Sequence, residues 1–152
     1  AAARVVRKDY DYAFEEEKYR GAPDIRLHEI DVARPLEIAG ERIVPVSGHH
    51  SERFEVTGYR IGRMAYLTDF KTIADAGVGK LIGVELLVVN ALRFRPHPSH
   101  FNVEEALALI ARVAPRRALI THVSHEIGRH AATTALLPRG VELAYDGLEI
   151  II

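Results

Sequence analysis

The chain has 152 residues, 48% hydrophobic and 27% charged, which is enough for one core of moderate size and a default of one domain. Its formal charge is −1 and its Lys and Arg residues are scattered, so the electrostatic footprint of a nucleic-acid binder is missing and nucleic acid is not an expected partner. No apolar run approaches the ~20 residues of a membrane span, AAARVVRKDYDYAFEEE at the N-terminus lacks a secretory apolar stretch, and cysteine is absent; these features exclude disulfides, thiolate chemistry and a membrane partner, and predict a cytoplasmic protein.

Taken in order, Arg4 to Phe14 can form a short helix with Val5, Val6, Tyr10 and Ala13 loosely on one side, stopped by Gly21 and Pro23. Strand-like runs follow at Ile25 to Ile30, Leu36 to Ile38 and Arg42 to Val46, the last two joined by Ala39-Gly40-Glu41 as a hairpin. Phe54 to Ile61 and Met64 to Leu67 flank Gly62-Arg63, a second hairpin signal, so this part predicts a β meander. From residue 70 the elements alternate: a helix near Thr72 to Ala76, an apolar strand Glu85 to Val89, a helix Val103 to Ala114, a strand Ala118 to Ile120 and a helix near Glu126 to Leu136. The clearest helix carries Val103, Ala106, Leu107, Ile110, Ala111 and Ala114 on one face, with Asn102 and Glu105 as N-cap and reciprocal partner. Val141 to Tyr145 and Leu148 to Ile152 close the chain as a hairpin through Asp146-Gly147, with the terminal EIII tucked into a sheet. A meander followed by strand-helix alternation predicts an α/β or α+β domain with sheets covered on one side by helices.

Four segments carry unusual side chains, each at a predicted strand end: Gly48-His49-His50-Ser51, Thr68-Asp69, His97-Pro98-Ser99-His100 and Thr121-His122-Val123-Ser124-His125. Strand ends that converge on one rim of a sheet are where ligands usually bind. Singly, each has a bland reading: Asp69 could cap a helix or make an Asx turn, His100 could simply precede Asn102, and His28 and His130 read as structural. Together, imidazoles and a carboxylate are natural ligands for Zn, Mn or Fe, and a carboxylate can bridge two ions. Ser-His-Asp hydrolysis is disfavoured because Ser51, Ser99 and Ser124 lie in no Gly-x-Ser-x-Gly turn, and no glycine-rich phosphate loop is present.

"GYRIGRMAYLTD" (58 to 69), "VVNALRFRPHPSHFNVEEAL" (88 to 107), "LITHVSHEIG" (119 to 128) and "GVELAYDGLEI" (140 to 150) resemble the metallo-β-lactamase-fold metal-dependent hydrolases. The resemblance is to the branch of bacterial phosphodiesterases related to the phosphoribosyl cyclic phosphodiesterase of phosphonate breakdown, and it covers nearly the whole chain. It implies an αββα sandwich, a small-molecule phosphodiester substrate and two divalent ions (Zn, Mn or Fe). It further implies that Asp69 is the carboxylate shared by both ions and His122 a ligand to one. A histidine of GHHS would bind the other; this chain has an extra residue between that motif and Gly58, leaving His49 and His50 both open, and the small Ser51 favours His50. His100 would face the scissile phosphate just before a helix N-terminus, where backbone N–H groups favour an anion. His49, His97, His125 and Arg95 would face substrate or orient the ligands.

The family's His-x-His-x-Asp-His motif is absent, and no His-x-His occurs. The resemblance therefore implies that residues 1–152 are the C-terminal portion of a single metallo-hydrolase domain about 100 residues longer, still an ordinary domain size. The complete protein is expected to hydrolyse and this chain alone to be inactive, with the faces of Ile25 to Ile30 and Glu85 to Val89 left open for the missing half or for a second copy. Two further readings remain: a thioester or lactone hydrolase of the same fold, and a non-catalytic half-domain acting as a binding or assembly module.

Overall fold

In the computed structural model, which describes residues 2–152, the strands form one seven-stranded sheet in the order in which they occur along the chain. They are β1 (Leu36–Ile38), β2 (Glu41–Ser51), β3 (Phe54–Ile61), β4 (Met64–Leu67), β5 (Leu86–Asn90), β6 (Arg117–Thr121) and β7 (Val141–Leu143), with helices α1 (Ala2–Asp9), α2 (Asp75–Leu81), α3 (Val103–Val113) and α4 (His130–Thr134). The chain divides into two compact units, up to Asp31 and from Val32 onward. In the first, α1 leads into a 3-10 turn at Asp11–Ala13, the Arg7 guanidinium lies 4.9 Å over the Phe14 ring, and Lys18 pairs with Asp24 at 2.6 Å.

In the second unit, β1 to β4 are antiparallel and β4 to β7 parallel. Ala39 and Gly40, both at positive φ, make the two-residue turn between β1 and β2, and Gly62 turns β3 into β4. Because β2 runs in the same direction as β4, β5 and β6, the C-terminal ends of all four strands lie on one rim. That direction, set by two hairpins and two helical crossovers, brings distant segments together.

Alternation along the strands gives the sheet two apolar faces. On one, Val46, Ala65, Leu67, Leu87, Val89, Ala118, Ile120 and Leu143 pack with Val78 and Leu81 of α2 and with Val103, Ala106, Leu109, Ile110 and Val113 of α3. Each such Val or Leu contributes about 1.5–3 kcal/mol by leaving water. On the other, Leu86, Val88 and Leu119 are covered by Met64, Ala144, Leu148 and Ile150. All five residues of β5 are buried, so the open Glu85 to Val89 face expected from the sequence is not found.

Several other expectations are corrected. Residues 25–30 form no strand, having no ladder partner among the described residues. The helix expected at Thr72 to Ala76 starts at Asp75, because Thr72 is held extended: its carbonyl accepts from the His49 N–H at 3.0 Å and its N–H donates to the His49 carbonyl at 3.1 Å. The N-cap of α2 is Ala74, so Asp69 caps nothing there. The capping box of Asn102 and Glu105 forms, but the buried stripe of α3 includes Leu109 and Val113 while Ala111 and Ala114 face solvent. The expected helix Glu126 to Leu136 is split into a 3-10 turn, His125–Ile127, and α4, because Gly128 adopts φ 94° and the Thr133 hydroxyl donates to the Ile127 carbonyl.

At the C-terminus the Asp146-Gly147 turn exists, with the Leu148 N–H donating to the Tyr145 carbonyl at 3.1 Å, but residues 148–152 do not pair with β7. Leu148 and Ile150 gain more by covering Leu86, Val88 and Leu119, and Ile151 is left fully exposed rather than tucked in. No helix among the described residues is long and apolar enough to cross a membrane.

Candidate metal centre

Four chain segments meet at the rim. β4 ends at Leu67, and the next residues leave the sheet in a turn that places Asp69 in the left-handed region at φ 63°. That turn is held from below by Asn90, the fully buried last residue of β5: its Oδ1 accepts from the Phe70 N–H at 2.8 Å and its Nδ2 donates to the Phe70 carbonyl at 3.0 Å. Phe70 itself is buried against Gly48, where any side chain would collide with its ring. His122 directly follows β6 and is also left-handed, at φ 56°. A non-glycine residue held there costs about 1–3 kcal/mol and persists only when its surroundings over-determine it. Here two such residues face each other across the rim.

β2 runs through the GHHS motif instead of ending before it, and a bulge falls between His49 and Ser51. The extra residue of that bulge is His50, which the irregularity re-aims. Its Nδ1 donates to the Asp69 carbonyl at 3.1 Å, so its Nε2 keeps the lone pair. His49 points elsewhere: its side chain is exposed, and only its backbone engages Lys71 and Thr72.

His100 stands at the middle of the cluster. Its Nε2 lies 3.2 Å from Asp69 Oδ1 and 3.1 Å from His122 Nε2, while His122 Nε2 is 3.4 Å from the same carboxylate oxygen. Its ring is 4.5 Å from that of His50 and 4.9 Å from that of His122, centroid to centroid. On its far side Nδ1 meets Ser99 Oγ at 3.1 Å and His97 Nδ1 at 3.2 Å. The His100 side chain is 12% exposed, whereas Asp69 and His122 remain open at 43% and 41%, so the cluster is reached from the Asp69–His122 side.

Burial is the main force pushing the His100 imidazole below its ordinary 6.5; the Asp69 hydrogen bond opposes it, and the His50, His122 and His97 rings add to it. His97 is lowered first by burial, then by the charges of Arg93 and Lys71. A neutral imidazole is the form that offers a lone pair to a metal.

His50, Asp69 and His100 each present a ligand atom within 4.8 Å of the others. With His122 the donor set is imidazole nitrogen and carboxylate oxygen, which fits Zn, Mn or Fe. The remaining predicted residues are not brought to this point. His125 lies exposed in the 3-10 turn with no polar or ring contact to the cluster. Arg95 is turned to Glu126 Oε1 at 2.6 Å and is 77% exposed. Arg93, which the sequence reading missed, binds Glu126 Oε2 at 2.6 Å and the Pro96 carbonyl at 3.0 Å, bracing the loop that carries His97 and His100. Ser99, weighed from the sequence only as a nucleophile, instead meets His100 Nδ1; Asn90 was missed, although a polar residue closing the apolar run Leu86–Val89 was the available signal.

The family model described as "Beta-lactamase superfamily domain" matches residues 1–123. The chain belongs to the beta-lactamase superfamily. A solved structure of a diphosphatase from the PhnP family is 34% identical, with a TM-score of 0.84, over 96% of this chain and 53% of that one. The metallo-beta-lactamase fold protein YhfI from Bacillus subtilis, 17% identical with a TM-score of 0.61 over 78% of this chain and 52% of that one, shares the fold. An octanoyltransferase of Porphyromonas gingivalis is 35% identical over 148 residues, which are 97% of this chain and 30% of that protein. The chain thus spans about half of the diphosphatase and under a third of the octanoyltransferase. Its seven-stranded mixed sheet with helices is that of an α/β metallo-β-lactamase fold, and its rim cluster lies among the strand ends of that sheet.

Proposed function

We propose that the complete protein is a metal-dependent phosphodiesterase acting on a small-molecule phosphodiester, with Asp69, His50 and His122 of this chain contributing ligands to a two-metal centre. The observation that carries this reading is the meeting of His50, Asp69, His100 and His122 at one rim, in a chain 34% identical along 96% of its length to a PhnP-family diphosphatase. When bound, divalent ions supply Lewis acidity that eases deprotonation of the attacking water and offsets charge on the phosphoryl oxygens. Asp69, held left-handed by the Asn90 clamp, presents its carboxylate toward solvent, where it can be shared. His50 is fixed in the tautomer that leaves Nε2 free by its bond to the Asp69 carbonyl. His100, braced through Nδ1 by Ser99 and His97, supplies a hydrogen bond to the phosphate.

This chain's ligands do not suffice for two ions, so we assign the completing partner as an N-terminal half-domain bearing the missing ligands. A second copy would bring the same residues and no His-x-His. Residues 1–152 by themselves are then inactive.

One observation favours a second reading, an acyl substrate such as a thioester: the relative named as an octanoyltransferase. The matched segment is 30% of that protein, so the name need not describe the part shared with this chain. The deciding experiment offers the complete, metal-loaded protein bis(p-nitrophenyl) phosphate and an octanoyl thioester. Turnover of the phosphodiester, lost in His122→Ala, supports the first reading; turnover of the thioester alone overturns it.

A further inference from the structure

We propose that the end of the sheet opposite the rim carries a second binding site, a pocket between β2, β3 and α2 that takes a phosphate group, free or carried by a small molecule, through Arg42, Arg60 and Lys80. None of its residues belongs to the histidine cluster, and no metal ion is needed.

Three observations carry it. The first is placement. The β2–β3 register sets Val44 opposite Arg60 and Val46 opposite Gly58, so Arg42, Val44 and Arg60 stand on the face of the sheet that bears the helices. With Gly62 and Lys80 they line a pocket of 370 Å³, inside the range of about 300–1,000 Å³ usual for small-molecule sites. Cations dominate the lining and no acidic residue belongs to it. Because β2 enters the sheet here and leaves it at His49 and His50, the pocket lies at the far end from the cluster.

Missing counter-charge is the second. Elsewhere in this unit half-buried cations meet a carboxylate: Lys71 meets Glu105, Arg93 meets Glu126 and Arg117 meets Glu142, each at 2.6 Å. Arg60 and Lys80 are also half-buried, yet they bond only to carbonyls. Arg60 Nε donates to the Gly62 carbonyl at 3.1 Å, and its Nη1 donates to those of Lys80 and Ile82 at 3.0 and 2.8 Å. Lys80 Nζ donates to the Pro45 carbonyl at 2.8 Å. Glu37, set opposite Arg42 by the β1–β2 register, makes no ion pair with it among the described residues. A helix C-terminus such as that of α2 carries about half a negative charge, too little to offset three cations.

The third is donor capacity. Arg60 keeps both N–H groups of Nη2, Lys80 keeps at least one, and Arg42 makes no hydrogen bond or ion pair among the described residues. A phosphoryl group offers three strong acceptor oxygens and a charge of about −1.5 to −2 at neutral pH, which three cations match better than they match a carboxylate. The carbonyl bonds also hold Arg60 and Lys80 in place before a ligand arrives, so less side-chain freedom is lost on binding.

The metal-free 152-residue chain is titrated at neutral pH with inorganic phosphate, glycerol phosphate and acetate, read by calorimetry. One equivalent of either phosphate is expected to bind, and acetate at least about tenfold more weakly. Arg42→Glu, which breaks no bond of the fold, is expected to weaken phosphate binding at least about tenfold. Lys80→Gln, checked for an unchanged fold by circular dichroism, should act in the same direction. Arg139→Gln, at an exposed arginine outside the pocket, and His122→Ala, at the rim, should leave affinity unchanged. Tighter binding of glycerol phosphate than of inorganic phosphate assigns the pocket to a phosphorylated small molecule, and equal affinities assign it to the phosphate group alone. Absence of phosphate binding by the unsubstituted chain overturns the proposal, and so does native affinity in folded Arg42→Glu. Loss of binding in Arg139→Gln or in His122→Ala also overturns it, because the anion then answers to diffuse surface charge or to the rim.

Discussion

Four non-glycine residues among those described sit in the left-handed region, and they fall into two pairs. Ala39, in the β1–β2 turn, and Ala114, closing α3, are exposed alanines whose side chains do nothing that glycine would not do. Asp69 and His122, beyond the ends of β4 and β6, carry side chains that point into the histidine cluster. All four pay a backbone cost of about 1–3 kcal/mol, less for Asp and His than for Ala. Only at the rim does the structure gain a side-chain position in exchange. The strain at the turns marks chain reversal, whereas the strain at the rim falls at the histidine cluster.

The comparison can be broken most directly at Asp69. Asp69→Gly is expected to weaken metal retention by more than about 100-fold while leaving the metal-free protein as stable as before or slightly more so, as read by metal analysis and thermal melting. A stability loss without a change in metal content would show that Asp69 is structural.

Next in size is the clamp beneath it. Asn90→Ala leaves the buried Phe70 N–H unpaired, while the Phe70 carbonyl keeps its bond from Phe101, and is expected to cost roughly 1–3 kcal/mol in urea denaturation. Metal affinity should fall as well, because the Asp69 turn loses its anchor.

At the other pair the sign reverses. Ala39→Gly and Ala114→Gly relieve the left-handed strain but add chain entropy to the unfolded state, for a net stabilisation of roughly 0.5 kcal/mol each with metal binding unchanged. Destabilisation by either substitution would contradict the reading of the turns.

The smallest effect concerns the loop carrying His97 and His100. The Arg93 hydrogen bond, assisted by Arg95, holds the Glu126 carboxyl below its ordinary 4.5. A lowered folded-state value means that the unfolded chain takes up the proton first as the solution is acidified. The stabilisation is therefore complete above the ordinary value and is lost as pH falls through the lowered one. Denaturant midpoints of the native chain and of Glu126→Gln should differ slightly at about pH 7 and converge as the solution is acidified below the ordinary carboxylate range; a gap that widens on acidification would refute the assignment.

Much of the frame was legible without coordinates, for local reasons. The β3 and β4 boundaries follow from alternating apolar residues around Gly62, and the start of α3 from Asn102 and Glu105, whose mutual hydrogen bonds span three residues. Where the local signal misled, a distant partner had intervened. Thr72 looked helical until His49 paired with it, and Leu148 to Ile152 looked like a strand until the bare side of β5 and β6 offered Leu148 and Ile150 a burial site.

The sequence by itself determined the order of the seven strands, the helix between β5 and β6 and the kinship of the chain, because composition, periodicity and motif spacing are properties of neighbouring residues. Only the tertiary structure decided that His50 rather than His49 faces Asp69, since a bulge breaks the alternation on which a sequence reading relies. It alone decided that His100 stands between Asp69 and His122, and that Arg93 and Arg95 answer to Glu126. These are contacts between segments 22 to 33 residues apart, and sheet topology, not local preference, brings such segments within hydrogen-bond range.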